Sequence, residues 1–291
     1  MKKYLVIGIL FLMLLAPICS ASTILLNNRE IERPKNTSFN DFTHTVIAEF
    51  GSLTTCPYCV TASSQLNSIY NSGDLDFYFV TLVGDEGNTN VRKRMNELGI
   101  SSVPDVYFDG GYKKILGAQS SEKPYRTAIN QSGARVVPDI DISVVVDWIG
   151  GGILKFKVTV INNEAETYNG QLRVYVLEKE SRWNDKGGHP YHYAVLDIPI
   201  DKSLSIIKAK SKARGDSYTF SKIWFGSFYG FGDIIQGNIL VIASVFDPGT
   251  GFAVQTSAAE PTVSNSYLTL KSLIFERLFE FFPLLNKISE F

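Results

Sequence analysis

The sequence predicts an α/β domain with a mixed central sheet flanked by helices, then an all-β antiparallel sandwich, then a C-terminal amphipathic helix. Three observations predict this. Strand-like and helix-like runs alternate between residues 45 and 131, the order that builds a sheet covered by helices. From Ile140 onward apolar residues recur at every second position with no helical run between them. Near the end, Ile274, Leu278, Phe281, Leu285 and Ile288 recur at spacings that put them on one helical face. The 291 residues, 45% hydrophobic and 20% charged, suffice for two domains of roughly 100–150 residues each. A formal charge of −1 excludes a polyanion-binding surface spread over the molecule, so no nucleic-acid partner is expected.

In the first domain, residues 44–136, Val46 to Phe50 reads as a buried strand and Cys59 to about Tyr70 as a helix. Phe77 to Val83, rich in aromatic and β-branched residues, is a second strand. Asn88 caps a helix that Gly99 stops. Val106 to Phe108 and Lys113 to Leu116 pair around a turn at Asp109-Gly110-Gly111, and Glu122 to Gln131 closes the domain with a helix. The sandwich, residues 137–260, is expected to contain strands at Ile140–Trp148, Leu154–Val160, Leu172–Val176, Tyr191–Leu196, Ser203–Ile207, Tyr218–Phe225 and Ile239–Phe246. Residues 261–291 form a linker and the terminal helix, which Pro283 kinks or interrupts. That helix either docks on its own domain or engages a membrane surface or a partner protein.

The N-terminus predicts the compartment. Lys2 and Lys3 precede an apolar run from Tyr4 to Leu15, and small residues follow at Ser20, Ala21 and Ser22. This is the pattern of a secretory signal peptide, residues 1–21, cleaved after Ala21. The run is shorter than the ~20 residues a spanning helix needs. Lipidation at Cys19 is disfavoured by Pro17 and Ile18 just before it. Residues 22–43 then read as a polar leader. Sequons at Asn36 and Asn130 fit an exported chain. Cleavage takes the formal charge from −1 to −3 and leaves two of three cysteines, Cys56 and Cys59, in an extracytoplasmic protein.

Cys56-Pro57-Tyr58-Cys59 follows a predicted strand and opens a predicted helix. At a helix N-terminus, free N–H groups and the macrodipole favour an anion, which lowers a cysteine pKa from about 8.5. Cys56 is then the nucleophile and Cys59, on the same helical face, the resolving thiol. Pro57 suits the first turn because it has no N–H to leave unpaired. With this motif, residues 45 to about 131 resemble the thioredoxin-like superfamily, in which Cys-Pro-Tyr-Cys marks thiol–disulfide oxidoreductases.

The resemblance implies a redox-active Cys56–Cys59 disulfide and a cis-proline at Pro104. The Val103 backbone, with Pro57 and Tyr58, would bind substrate. The Gly110-Gly111 turn and Gly117 also match. Glu49 stands for the buried acid that takes a proton from Cys59, although it lies seven residues before Cys56, one more than usual. Thr55 replaces a frequent tryptophan, and Asp105 replaces a frequent threonine with a carboxylate that opposes thiolate formation. The whole arrangement resembles exported proteins that join such a domain to an immunoglobulin-like sandwich. It implies protein thiol or disulfide substrates, a redox partner, and no metal or other cofactor.

Other readings of the pair remain open. A structural disulfide closing so small a loop constrains the unfolded chain by only about 2 kcal/mol. A zinc site needs further ligands, and His189 and His192 have suitable spacing but lie in the other domain. A redox-inactive fold would serve binding or adhesion through the sandwich. In that sandwich Asp139, Asp141 and Asp147 alternate as a solvated face, and Trp183, Trp224, Phe225, Phe228, Tyr229 and Phe231 read as core or loop packing.

Overall fold

The computed structural model describes residues 42–207 and 216–263. The expected signal peptide, most of the leader, Cys19, the Asn36 sequon and the C-terminal helix therefore lie outside the described residues. In chain order the elements are β1 (Val46–Ser52), α1 (Cys59–Ser72), β2 (Phe77–Val83), α2 (Thr89–Leu98), β3 (Asp105–Phe108), β4 (Lys113–Leu116) and α3 (Lys123–Gly133). Strands then follow without helices: β5 (Ile140–Gly150), β6 (Ile153–Asn162), β7 (Tyr168–Asn184), β8 (Pro190–Ile206), β9 (Asp216–Phe225), β10 (Ile239–Phe246), β11 (Ala253–Ala259) and β12 (Thr262–Val263).

Local chemistry sets the helix ends. The Asn88 side chain accepts the N–H groups of Asn90 and Val91, satisfying two donors that the first turn of α2 cannot pair internally. Gly99 ends that helix in the left-handed region at φ 74°, where a side chain is penalised. Gly110, at φ 68°, turns β3 into β4 with its Cα hydrogens against the Gly251 carbonyl of the β10–β11 turn.

The expected fold class is overturned by the way the strands assemble. The described residues are mostly β, 49% strand against 21% helix, with three α-helices among them. One eight-stranded sheet runs in the order β11-β10-β7-β8-β2-β1-β3-β4, and a second in the order β12-β5-β6-β9. The strands assigned to a self-contained, helix-flanked thioredoxin-like domain are instead half of the larger sheet, because β2 accepts β8 as a parallel neighbour at Thr81 and Ala194. The Thr81 hydroxyl reinforces that seam by donating to the His192 carbonyl at 2.7 Å. The remainder is not purely antiparallel either, since β12 runs parallel to β5. Residues 190–206, expected as two strands, form the single strand β8.

The two sheets pack face to face as a β-sandwich. Ile142, Val144, Phe156 and Val158 of the smaller sheet bury against Val174, Leu196, Val241 and Val245 of the larger. On the same face of the large sheet, α1 and α3 cover β1 and β2 through Leu66, Ile69, Tyr125 and Ile129 against Val46, Ala48, Phe50 and Phe79. The opposite face carries α2, with Val91, Met95 and Leu98 against Ile47, Val80, Tyr175 and Ile242. Strand alternation makes this division sharp: Ala48 and Phe50 face the first core, Ile47 and Glu49 the second.

Candidate redox site

The turn between β1 and α1 carries the cysteines. Cys56 N–H donates to the Leu53 carbonyl at 3.0 Å, closing a turn over Thr54 and Thr55, and α1 starts at Cys59. Cys56 and Cys59 are joined by a disulfide with their Cα atoms 5.4 Å apart. Cys59 is wholly buried, whereas Cys56 retains 7% of its surface. Pro57 and Tyr58 are exposed beside them, Tyr58 at 69%. The Cys59 N–H points at the Cys56 Sγ at 3.1 Å. A donor aimed there, at the start of a helix, favours a thiolate on Cys56 once the pair is reduced.

The second predicted feature approaches from a neighbouring strand. Asp105 at the start of β3 pairs with Gly51 near the end of β1, so Pro104 and the cysteine turn leave the same end of the sheet. The Val103–Pro104 peptide is cis; Pro104 is buried and Val103 packs on the core that contains both cysteines. Asp105 alternates with Val106, which faces that core, so its carboxylate points to the other side of the sheet. There it accepts the Ser102 hydroxyl and the Gly117 N–H, each at 3.1 Å. The carboxylate expected from its place in sequence to oppose thiolate formation is thus turned toward Ser102 and Gly117.

Glu49 is not brought to the cysteines, and its expected role in proton transfer is corrected. It lies on the face opposite Phe50 and grips Arg94 of α2 through two bonds of 2.6 Å, while the Tyr175 hydroxyl donates to it at 2.7 Å. Burial alone would raise its carboxyl pKa. The charge and hydrogen bonds of Arg94, with Arg173 and Tyr175, outweigh that and hold it below the usual carboxylate range. A carboxylate so held is a structural anion. Arg173 continues the network to Glu97 at 2.8 Å and to Asp201 at 3.1 Å.

Several contributing residues were not recognised from sequence. Tyr191 of β8 accepts the Ser52 hydroxyl at 2.7 Å and donates to the Leu53 carbonyl at 2.9 Å. Asp85, after β2, accepts the Thr54 N–H at 3.0 Å and the Thr54 hydroxyl at 2.5 Å. Only the polar Thr54-Thr55 ahead of Cys56 hints that this turn needs partners. Histidine ligation gains no support: His189 is exposed beside Asp185, and no group of three or more His, Cys, Asp or Glu among the described residues is arranged to hold a metal. Asp139 and Asp141 are bridged by the Asn163 amide. The aromatic residues divide. Trp224 and Phe231 are core, Trp183 packs partly buried against it, and Phe225, Phe228 and Tyr229 are exposed.

No family model matches the chain, and no curated protein matches it. Among solved structures it is similar to HBP35 of Porphyromonas gingivalis, with 16% identity and a TM-score of 0.58 over 78% of this chain and 80% of that one. It also matches a protein of Agrobacterium tumefaciens at 13% identity and a TM-score of 0.44, over 77% of this chain and 97% of that one. A domain of the outer membrane lipoprotein Omp28 from Porphyromonas gingivalis matches at 15% identity and a TM-score of 0.24, over 45% of this chain and 96% of that one. At these identities the likeness to HBP35 is one of fold alone, and the two weaker matches add nothing to it.

Proposed function

We propose that the protein is an extracytoplasmic thiol–disulfide oxidoreductase that exchanges disulfides with protein substrates through Cys56 and Cys59. The observation that carries this reading is the asymmetric disulfide: Cys56 keeps a small exposed surface, Cys59 is wholly buried, and the Cys59 N–H is aimed at the Cys56 sulfur. In the oxidising direction a substrate thiolate attacks the Cys56 sulfur, forming a mixed disulfide and releasing Cys59 as thiolate. A second substrate thiolate then displaces Cys56, so the substrate dithiol becomes a disulfide and the cysteine pair a dithiol. The reverse sequence reduces a substrate disulfide, with Cys56 attacking and Cys59 resolving. Val103 and Pro104 line the approach with Pro57 and Tyr58. A separate redox partner resets the pair, and no metal or organic cofactor is required. The basic and apolar N-terminus, with its small residues at Ser20 to Ser22, supports an exported location.

Equilibration with a glutathione series tests the proposal. The Cys56–Cys59 bond is expected to exchange, Cys56→Ser to abolish turnover, and Cys59→Ser to accumulate mixed disulfides with substrate proteins. A bond that is neither reduced nor exchanged in any of these buffers sinks the reading. A binding role without redox chemistry then stands, favoured by the exposed Phe225–Phe228 stack, whose ring centroids lie 5.3 Å apart.

A further inference from the structure

The cysteine turn is held by a residue 138 positions later in the chain, from a strand of the β-sandwich. The Leu53 carbonyl accepts two donors, the Cys56 N–H and the Tyr191 hydroxyl, and the wholly buried Ser52 hydroxyl completes the relay by donating to Tyr191. The Tyr191 ring is itself fully buried in the core that includes both cysteines. Its hydroxyl therefore spends its donor on the one carbonyl that defines the turn, and its lone pair on the last side chain of β1. On the other side of the turn, Asp85 fixes Thr54. Cys56 is thus positioned from two sides, and one side belongs to β8.

We infer that Tyr191 is a positioning residue for the Cys56–Cys59 exchange reaction, through which the sandwich sets the reactivity of the cysteine pair. This inference rests on the oxidoreductase reading above. The link is geometric. The turn sets where the Cys56 sulfur sits relative to the Cys59 N–H, and that hydrogen bond is stronger to a thiolate than to a disulfide sulfur. Loosening the turn removes more stabilisation from the reduced form than from the oxidised form. The equilibrium with glutathione then moves toward the disulfide, and reduced Cys56 becomes a slower nucleophile.

The test compares wild type, Tyr191→Phe and Tyr125→Phe in the full-length protein. Tyr125 is a control from the same core, with a buried hydroxyl that has no hydrogen-bond partner. Two quantities are read: the equilibrium constant with glutathione, and the alkylation rate of reduced Cys56 at neutral pH. Tyr191→Phe is expected to shift the constant toward the disulfide, and to slow alkylation, by about three- to tenfold, the range spanned by one net hydrogen bond. Tyr125→Phe is expected to leave both unchanged. A folded Tyr191→Phe protein matching wild type in both quantities overturns the inference while leaving the oxidoreductase reading intact. A wild-type disulfide that does not exchange overturns that reading, and the inference with it. If Tyr191→Phe does not fold, Ser52→Ala strips the anchor of the same relay and is expected to shift both quantities the same way by a smaller factor; unchanged values there also overturn the inference.

Discussion

Glu49 shows how much one residue's role depends on which way its side chain points. It stands one position from Phe50, yet Phe50 packs toward the cysteines and Glu49 toward Arg94, because successive residues of a strand face opposite sides. Removing the charge with Glu49→Gln leaves the buried Arg94 guanidinium with only the longer 3.4 Å pair to Glu97, and a loss of about 3 kcal/mol of stability is expected. The pH dependence has a defined sign. The carboxyl pKa is lowered in the folded protein, so its stabilising share is complete above the unfolded value of about 4.3 and is lost as the pH falls through the lower folded value. Urea titrations at neutral pH and below pH ~4 are expected to show wild type losing this share in acid, with the variant's stability changing less over the same interval. Equal acid sensitivity in the two proteins would count against the ion pair as its source.

At the level of elements, Asp197 of β8 ties three of them together. One oxygen accepts the amides of Asn88 and Asn90 at the start of α2, at 2.6 and 2.9 Å. The other accepts the Trp224 indole N–H of β9 at 2.8 Å. Asp197→Ala leaves a buried indole donor unpaired and the helix start untied, and should cost about 3 kcal/mol. Asn88→Ala removes the cap and one of those ties, for about 1–2 kcal/mol. Both are measurable as denaturant midpoints. A neutral Asp197→Ala would show that the tie contributes nothing net. The α2 cap itself was legible in the sequence, because Asn before the helix and Gly after it act through backbone groups within a few residues. Asp197 was not, since its partners are more than a hundred positions upstream and 27 downstream.

At the scale of the whole molecule, the larger sheet of the described residues crosses the boundary near residue 137. The β2–β8 seam, the Tyr191 relay and the Arg94–Glu97–Arg173–Asp201 network all join the two halves of the chain. Thermal or urea unfolding of the described body is therefore expected to be a single transition, with near-ultraviolet and far-ultraviolet circular dichroism coincident. Two resolved transitions would show that the seam does not couple the halves. The proposed exchange chemistry is expected to be lost in that same transition, since the cysteine turn is anchored across the seam.

Sequence alone determined the strands and helices of the first half, the strands of the second half other than the unbroken β8 and the unanticipated β11 and β12, and the placement of Cys56 and Cys59 between β1 and α1. These follow from period, capping and turn chemistry, which operate over a few residues. Tertiary structure decided which strands became neighbours, turning an expected pair of domains into one eight-stranded sheet with a second sheet packed on it. It also decided that Glu49 and Asp105 face away from the cysteine core, and that Tyr191 holds the turn before them. Strand pairing and side-chain partners over more than a hundred residues depend on the free edges and buried faces of the assembled molecule, and no local pattern in β2 records that its open edge will accept β8.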